Sequence, residues 1–431
     1  MFSESSCILN YHLTPKKLGS GSYGIVHEAI DPLTQKKAAI KKMSFVESDA
    51  DFLSLYREIS ILRVLKGHSN IVTLDHVEIS NHHIYLVFEC YDTDLHKVIR
   101  SQQRLTIEHI RYFIHQILYG IEHIHSAKLV HRDLKPSNIL VNRDCHIKIC
   151  DFGLARAIVD CETTQGAQAE NNLTNYVVTR WYRSPEVILI SPRGGEAPTD
   201  IWSIGCILAE LLLGRPVFPG HNQKEVLSLI FKLMGFPRLE ENTWLDDCKN
   251  KLKLKSTTNG EGEFPKIFET LDMGFFILLR QLLEFNPFKR ISAEQALKNA
   301  IFREFDKKEG ETNTFLLESC SGLEQESFMN YIQFERQFSH SLFKRESLAI
   351  TQQIQSLIQT EVRRYQSAES TTSLAEQDVS EALIPADIST STSLPASTSA
   401  SSSLAEQSFF SSSNTGHQIS CSQSVIQNGP H

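Results

Sequence analysis

The spacing of apolar and polar residues predicts strands in the first part of the chain. Val26–Ile30 alternates between apolar and polar positions, as a half-buried strand does, while Lys37–Lys42 and Ile84–Phe88 have the apolar centres of buried strands. Between the second and third of these, Ser54–Leu65 has apolar residues at helical spacing. The pattern therefore predicts a sheet accompanied by one helix.

Helical patterns dominate after Leu95. Ile107–His125 and Ile201–Leu213 are long segments with apolar residues at helical spacing. A strand-rich region followed by a helical region is the order expected of a two-lobed α+β enzyme. The longest apolar stretches, Ile201–Leu213 and Phe275–Leu283, are interrupted by charges and too short to cross a bilayer, so no transmembrane helix is predicted.

Composition divides the chain into a body and two further regions. Residues 11–305 carry the periodic segments and follow a short extension over 1–10. Residues 306–365 begin with an acidic linker and end in a one-sided helical pattern, which predicts an amphipathic helix lying on the body of the enzyme. A helix that binds a partner is the alternative. Residues 366–431 are rich in Ser, Thr and Ala, which predicts a disordered tail.

The net charge of −8 comes mainly from this tail. After Arg364 the chain has no Lys or Arg but six acidic residues, which leaves −2 of the −8 for all the rest. No basic surface for nucleic acid or membrane binding is indicated. The N-terminus lacks a signal-peptide pattern, and the nine cysteines form no C-x-x-C pair, so reduced thiols in the cytosol are expected.

A glycine-rich segment, Leu18–Val26, fits the pattern G-x-G-x-x-G-x-V. Glycines of this kind let backbone N–H groups approach phosphates closely. The same letters could open a dinucleotide-binding fold, but that fold requires a helix directly after the glycines. The strand pattern that follows here favours a phosphate-binding hairpin instead.

Ala38–Lys41 follows as a close match to the pattern V-A-I-K. A lysine between apolar neighbours on a buried strand needs a charged partner, and Glu58 on the predicted helix can supply one. The functional interpretation pairs Lys41 with Glu58 and with nucleotide phosphates. A surface lysine is the alternative, because Lys42 is adjacent.

Three further motifs complete an ordered set. His131–Asn138 fits H-R-D-L-x-x-x-N, Asp151–Gly153 is D-F-G, and Ser184–Glu186 stands for A-P-E. Five motifs in this order are a specific signal, and the chain is identified as a member of the protein kinase family. The resemblance implies a small antiparallel β N-lobe with one regulatory helix over 11–90 and a mainly helical C-lobe over 91–305.

The resemblance also implies ATP-dependent phosphoryl transfer, in which positioning and charge neutralisation supply most of the catalysis. Asp133 would accept the proton of the substrate hydroxyl, and Lys135 would reach the transferring phosphate. Asn138 and Asp151 would hold Mg²⁺, and Phe88 would narrow the back of the nucleotide pocket. ATP would lie against the glycine-rich loop, the adenine pocket and the connection between the lobes, formed by Leu18, Gly19, Ser20, Gly21, Ser22, Tyr23, Gly24, Ile25, Val26, Ala39, Glu89, Tyr91, Asp94 and Leu140.

Several features favour MAP kinases, of the CMGC group, within this family. Thr179–Glu186 resembles the segment shared by MAP kinases and cyclin-dependent kinases, and Thr174 with Tyr176 supplies the Thr-x-Tyr of MAP kinases. Lys135 is typical of Ser/Thr kinases, and 238–273 has the length of the MAP kinase insert. The resemblance implies protein substrates with Ser/Thr-Pro sites, an upstream dual-specificity MAP kinase kinase, opposing phosphatases, and residence in cytoplasm and nucleus.

Five arginines are present where the resemblance needs them for a phosphorylation switch. A phosphate adds about −1.5 to −2 charges and orders a loop when arginines wait for it. The resemblance assigns Arg57, Arg132 and Arg156 to phosphorylated Thr174, and Arg180 and Arg183 to phosphorylated Tyr176. Ordinary structural arginines are the alternative.

The sequence differs from the family pattern at two places, and the resemblance implies two further contacts between residues. It implies that Arg290 pairs with Glu186 and that Asp200 holds the backbone of the catalytic loop. Asn175 departs from the usual residue between the phosphosites, which leaves the upstream activator open. The charged residues after Phe305, Asp306 and Glu309, would form either an acidic docking patch or a solvated turn.

Two other functions remain as alternatives. A cyclin-dependent kinase is the runner-up among enzymes, although the Thr-x-Tyr and the insert count against it. An inactive scaffold is the alternative from another class. The intact set of Lys41, Glu58, Asp133, Asn138 and Asp151 disfavours it.

Overall fold

The structure is a computed structural model. It describes residues 7–8, 10–21, 24–44, 49–80, 83–101, 103–158, 180–189, 196–236, 262–305, 326, 329–333 and 354–365. The predicted phosphosites Thr174 and Tyr176, the loop-tip residues Ser22 and Tyr23, and the proposed docking residues Asp306 and Glu309 lie outside these ranges. So do residues 238–261 of the insert and the predicted tail.

The first part of the chain forms one antiparallel sheet of six strands in the order β1-β2-β3-β4-β6-β5. Its strands are β1 (Cys7–Ile8), β2 (Tyr11–Gly21), β3 (Gly24–Ile30), β4 (Lys37–Ser44), β5 (Leu74–Ser80) and β6 (His83–Glu89). Ile40 and Tyr85 belong to a small apolar cluster on one face of the sheet. Leu86 and Phe88 belong to the main core on the other face. The three predicted strands are therefore present, each slightly longer than its sequence pattern.

One helix, α1 (Asp49–Val64), accompanies the sheet. Leu55, Ile59 and Leu62 are fully or almost fully buried, because the helical period places them on one side. The helix begins five residues before the predicted Ser54. Residues 354–365 form a further helix, here called α10, whose Ile354 and Ile358 are buried.

The second part of the chain is mainly helical. Its longest helix, α3 (Ile107–Ser126), starts at a capping box in which Thr106 and His109 exchange hydrogen bonds with each other's backbone. The other helices are α2 (Leu95–Arg100), α4 (Pro185–Ile188), α5 (Pro198–Leu213), α6 (Gln223–Met234), α7 (Phe264–Ile267), α8 (Met273–Leu282) and α9 (Ala293–Leu297). None of the helices in the described ranges is both long and apolar enough to cross a membrane.

Short strands between the two parts hold the loops that carry the motifs. They are β7 (Thr93–Asp94), β8 (Leu129–Val130), β9 (Ile139–Val141), β10 (Ile147–Ile149) and β11 (Arg156–Ala157). β9 pairs with both β10 and β7, and β11 pairs with β8. The catalytic-loop and D-F-G sequences therefore leave neighbouring strands and face the same space below the sheet. The predicted two-lobed α+β fold is confirmed.

Candidate active site

Lys41 and Glu58 form an ion pair between strand β4 and helix α1. The Lys41 Nζ lies 2.7 Å from Oε1 and 2.8 Å from Oε2 of Glu58. Burial opposes the charge of the ammonium group, but Glu58 and Asp151 outweigh it, so the pKa of Lys41 is raised. The adjacent Lys42 points to the other face, where its Nζ lies 5.9 Å from the centre of the Tyr85 ring. Lys41 thus faces Glu58, while Lys42 faces Tyr85.

The glycine-rich loop turns between β2 and β3. Gly24 has a φ of 144°, and a Cβ there would lie 2.3 Å from the carbonyl oxygen of Lys42. Only glycine fits this conformation and this close approach. Leu18, Gly19 and Ser20 precede the turn in β2, and Ile25 and Val26 follow it in β3.

The catalytic loop holds three predicted side chains together. Lys135 Nζ lies 2.6 Å from Asp133 Oδ2, and the Asn138 amide donates to the carbonyl and to Oδ2 of Asp133 at 2.9 and 3.2 Å. Burial raises the pKa of the Asp133 carboxyl, and Lys135 opposes that shift. A positioned carboxylate, a cation and an amide oxygen therefore share one small volume.

Asp200 fixes the backbone of this loop from helix α5. Its carboxylate accepts hydrogen bonds from the backbone N–H groups of His131 and Arg132 at 2.9 and 2.8 Å, and it lies 2.9 Å from His125 Nε2. Burial favours the neutral acid, but the hydrogen bond with His125 and nearby charges outweigh it and lower the pKa of Asp200. Arg132 has a φ of 69°, so this loop is held in a backbone conformation that arginine rarely adopts. The predicted anchoring role of Asp200 is confirmed.

The D-F-G segment packs against the catalytic loop. Phe152 is fully buried and meets the His131 ring edge-on at 5.0 Å between centroids. His131 Nε2 lies 3.0 Å from the carbonyl oxygen of Cys150. Burial raises the pKa of the Cys150 thiol, which agrees with a packed thiol that is not a nucleophile. Asp151 is the residue of this segment that acts electrostatically on both Lys41 and Asp133.

The predicted adenine pocket is bounded by strand residues of both lobes. Ala39 lies opposite Phe88 across β4 and β6, and Leu140 lies opposite Asp94 across β9 and β7. Phe88 is largely buried, as expected of a residue that closes the back of a pocket. Asp94 is the N-cap of α2 and accepts from the Lys97 backbone N–H at 2.9 Å, so its carboxylate already has a structural task. Glu89 and Tyr91 form the link between the lobes.

Among the five arginines assigned to the switch, Arg183 lies near Asp133, Arg180 and Arg132. Burial lowers the pKa of Arg183, and Arg180 and Arg132 lower it further, while Asp133 opposes this. Arg180 and Arg132 are therefore each close enough to Arg183 to repel its charge. Arg57 is buried on α1, and Arg156 lies in β11.

A buried ion pair holds helix α4, which follows Arg180 and Arg183 in the chain. Arg290 contacts the two carboxylate oxygens of Glu186 at 2.7 and 3.0 Å, and both side chains are almost fully buried. The guanidinium also lies over the Trp202 ring at 5.1 Å. The predicted pairing of Arg290 with Glu186 is confirmed.

Comparison with known proteins identifies the family. A family model described as "Protein kinase domain" matches residues 12–302. The chain is 41% identical over 291 residues to Mitogen-activated protein kinase 2 of Arabidopsis thaliana, covering 66% of this chain and 75% of that protein. This chain belongs to the MAP kinases. It is equally 41% identical over 291 residues to Mitogen-activated protein kinase homolog NTF3 of Nicotiana tabacum, covering 66% of this chain and 76% of that protein. Over 288 residues it is 41% identical to Mitogen-activated protein kinase 2 of Pneumocystis carinii, covering 65% of this chain and 80% of that protein. The predicted family and the predicted enzyme class, a protein serine/threonine kinase, are confirmed.

Sequence reasoning missed two features of this MAP kinase that surround the site. Ser54 on α1 donates a 2.8 Å hydrogen bond to the carbonyl oxygen of Gly153, and Tyr182 donates a 2.6 Å hydrogen bond to Glu210. A polar residue at an apolar-face position of a helical pattern is the signal that could have drawn attention to Ser54. Glu210, inside the apolar stretch Ile201–Leu213, carries the same signal.

Proposed function

We propose that this kinase phosphorylates Ser or Thr followed by Pro in protein substrates, and that phosphorylation of Thr174 and Tyr176 by an upstream dual-specificity kinase switches it on. The Asp133, Lys135 and Asn138 cluster, joined to the Lys41–Glu58 pair, is the observation that carries the catalytic part of this proposal. Membership in the family supports the use of ATP, protein substrates and regulation by upstream kinases in general.

The residues near Asp133 fit a Mg²⁺ ion that arrives with a nucleotide. Mg²⁺ prefers oxygen ligands and is usually bound by one or two carboxylates together with substrate phosphates. Asp151 offers a carboxylate. The side-chain amide N–H groups of Asn138 donate hydrogen bonds to Asp133. In the described part of the chain no group donates to Asn138 Oδ1, so this oxygen can bind a metal. The same part of the chain has no group of three His, Cys, Asp or Glu side chains suited to hold a metal alone, so phosphates would complete the site.

Each residue of the site then has a task in phosphoryl transfer. Asp151 and Asn138 would hold Mg²⁺, which would supply neutralisation of charge on the phosphate oxygens. Lys41 orients the α- and β-phosphates, and Glu58 orients Lys41. Asp133 accepts the hydrogen bond of the substrate hydroxyl and takes its proton, while Lys135 stabilises charge on the transferring group.

The arginines near Asp133 support the proposed switch. Arg132, Arg180 and Arg183 bring three positive charges to the end of the segment that carries Thr174 and Tyr176. A phosphate group is the anion that arginine side chains bind best through paired hydrogen bonds, so a phosphate added to this segment would be attracted to these charges. Ordering of the segment would thereby follow phosphorylation.

A peptide assay tests this proposal. Wild type, Asp133→Ala and the double variant Thr174→Ala/Tyr176→Phe are compared with and without an activating kinase, on one Ser-Pro peptide and on its Ser-Ala counterpart. We expect the wild type to prefer Ser-Pro after activation, Asp133→Ala to lose about 10²–10⁴-fold in rate, and the double variant to stay at the unactivated rate.

The outcomes separate the parts of the proposal. Equal rates on both peptides would contradict proline direction. Full activity of the double variant would remove the dual switch and favour a cyclin-dependent or constitutive kinase. Unchanged activity of Asp133→Ala would contradict the assignment of the catalytic base.

A further inference from the structure

Ser54 links the regulatory helix directly to the D-F-G segment. Its Oγ–H donates a hydrogen bond of 2.8 Å to the backbone carbonyl of Gly153, across 99 residues of chain. Ser54 is only 8% exposed, so water does not compete effectively for this contact. Ser54 lies one helical turn before Glu58, and residues four apart share one side of a helix. The side of α1 that holds Lys41 therefore also holds Gly153.

The backbone at Asp151 makes this contact important for the metal-binding carboxylate. Asp151 has φ 69° and ψ 72°, a left-handed conformation that a non-glycine residue keeps only when its surroundings fix it. Gly153, two residues later, approaches α1 closely: a Cβ there would lie 3.1 Å from Ser54 Oγ and 3.7 Å from Asp151 Oδ1. The hydrogen bond from Ser54 thus acts on Gly153, a residue that lies beside the Asp151 carboxylate.

We propose that Ser54 is a positioning residue for the Mg²⁺-dependent part of nucleotide binding. Its hydroxyl ties α1 to the segment that carries Asp151. One helix therefore fixes the position of the phosphate-binding Lys41, through Glu58, and the position of the metal-binding carboxylate, through Ser54. If α1 moves outward, the Ser54 contact and the Lys41–Glu58 pair are lost together. The inference rests on the Mg²⁺ role proposed for Asp151, and it is independent of proline direction and of the phosphorylation switch.

Binding of ADP to the full-length chain tests the inference without any catalytic turnover. Calorimetric titrations are made in Mg²⁺ and in EDTA, for wild type, Ser54→Ala and Ser54→Thr. A typical hydrogen bond corresponds to a loss of about 3- to 10-fold in affinity. We expect Ser54→Ala to lose this factor in Mg²⁺ and to bind like the wild type in EDTA. Ser54→Thr keeps the hydroxyl and is expected to stay within about 2-fold of the wild type in both buffers.

A second serine of the same helix provides the matched control. Ser60 is fully buried, and its hydroxyl has no hydrogen-bond partner among the residues that the structure describes. Ser60→Ala removes the same atom from α1 without removing a hydrogen bond, so unchanged ADP affinity in both buffers is expected. Asp151→Asn defines the result of losing the carboxylate itself.

Three results would overturn the inference. Ser54→Ala that binds ADP like the wild type in Mg²⁺ would show that the contact does not position the carboxylate. An equal loss in Mg²⁺ and in EDTA, shared by Ser60→Ala, would reduce Ser54 to a packing residue. A wild type that binds ADP equally well in both buffers would overturn the metal role of Asp151 as well, which distinguishes the two failures.

Discussion

Glu210 of α5 and Tyr182, which lies just before α4, form a buried pair. The Tyr182 hydroxyl donates to Glu210 Oε2 at 2.6 Å, and the Tyr182 carbonyl accepts from Ser203 Oγ at 2.8 Å. Burial raises the pKa of the Glu210 carboxyl, and the hydrogen bond from Tyr182 only partly opposes this. The pair therefore ties Tyr182 to α5 at the expense of holding a carboxylate away from water.

The pKa of Glu210 leads to a pH-dependent prediction. The ordinary value is 4.5, and the folded value lies above it, so the folded protein holds this proton more tightly than the unfolded chain. The contribution of Glu210 to stability is therefore present below pH 4.5 and is lost as the pH rises through the folded pKa. Glu210→Gln keeps an acceptor for Tyr182 without the charge. We expect it to melt at a higher temperature than the wild type at pH 7.5, with a difference that shrinks toward pH 5.

Thermal unfolding across this pH range checks the expectation, with Glu210→Ala as the comparison. That variant leaves the Tyr182 hydroxyl unpaired in a buried place and should melt lower than Glu210→Gln at every pH. A Glu210→Gln protein that is less stable than the wild type at pH 7.5 would contradict the assigned direction of the pKa.

At the scale of elements, helix α10 braces helix α1. Arg63 near the end of α1 forms an ion pair of 2.9 Å with Glu361 of α10, and its guanidinium also donates to the Glu361 carbonyl at 3.1 Å. The guanidinium lies 4.2 Å from the centre of the Tyr365 ring. Both charged side chains of the pair are at least nine-tenths buried. The helix that carries Glu58 is thus held from behind by the last described element of the chain.

Breaking this pair should destabilise the kinase strongly. Glu361→Ala leaves the Arg63 charge buried without its partner, which typically costs about 3–5 kcal/mol. We expect a clear fall in the melting temperature. Glu294→Ala is the control, because it breaks the Glu294–Lys298 pair, whose side chains are 67% and 71% exposed, and should not change the melting temperature measurably. Equal melting temperatures for the two variants would refute a bracing role for α10.

The elements also indicate how much the sequence could predict. Strands β3, β4 and β6 and helices α3 and α5 follow from their apolar patterns within a few residues, because each contributes apolar side chains to a buried core. The apolar spacing in 354–365 predicts a helix, but not that it packs on α1, since its contacts join residues 298 apart in the chain. The motif residues could be predicted from the sequence because phosphate chemistry requires them at fixed spacing. The helical pattern marks Ser54 as a polar residue at an apolar-face position, but no local pattern reveals that its partner is Gly153.

At the scale of the molecule, the candidate nucleotide site joins the two lobes. Lys41 belongs to the sheet, while Asp133, Asn138 and Asp151 belong to loops below it. A ligand that binds only the folded protein stabilises it, by about 2.7 kcal/mol when its concentration is one hundred times its dissociation constant. Nucleotide binding should therefore raise the melting temperature of both lobes together.

Two adjacent lysines make this expectation specific. We expect Mg²⁺ and ADP to raise the melting temperature of the wild type and of Lys42→Met by similar amounts, because Lys42 points to the outer face over Tyr85. Lys41→Met removes the charge that we propose binds the phosphates, so this variant should lose most of the rise. Thermal unfolding with and without nucleotide measures both variants. Similar rises in all three proteins would mean that Lys41 does not contact the nucleotide.

The place of α10 in the chain also sets an order in time during synthesis. Arg63 leaves the ribosome long before Glu361, because 298 residues separate them. At ordinary translation rates this interval is roughly 15–60 s. Throughout that interval the sheet and α1 can fold, but the positive charge of Arg63 lacks the partner it has in the finished protein. A nascent kinase therefore acquires the support behind α1 only after every residue of the candidate catalytic machinery has already emerged.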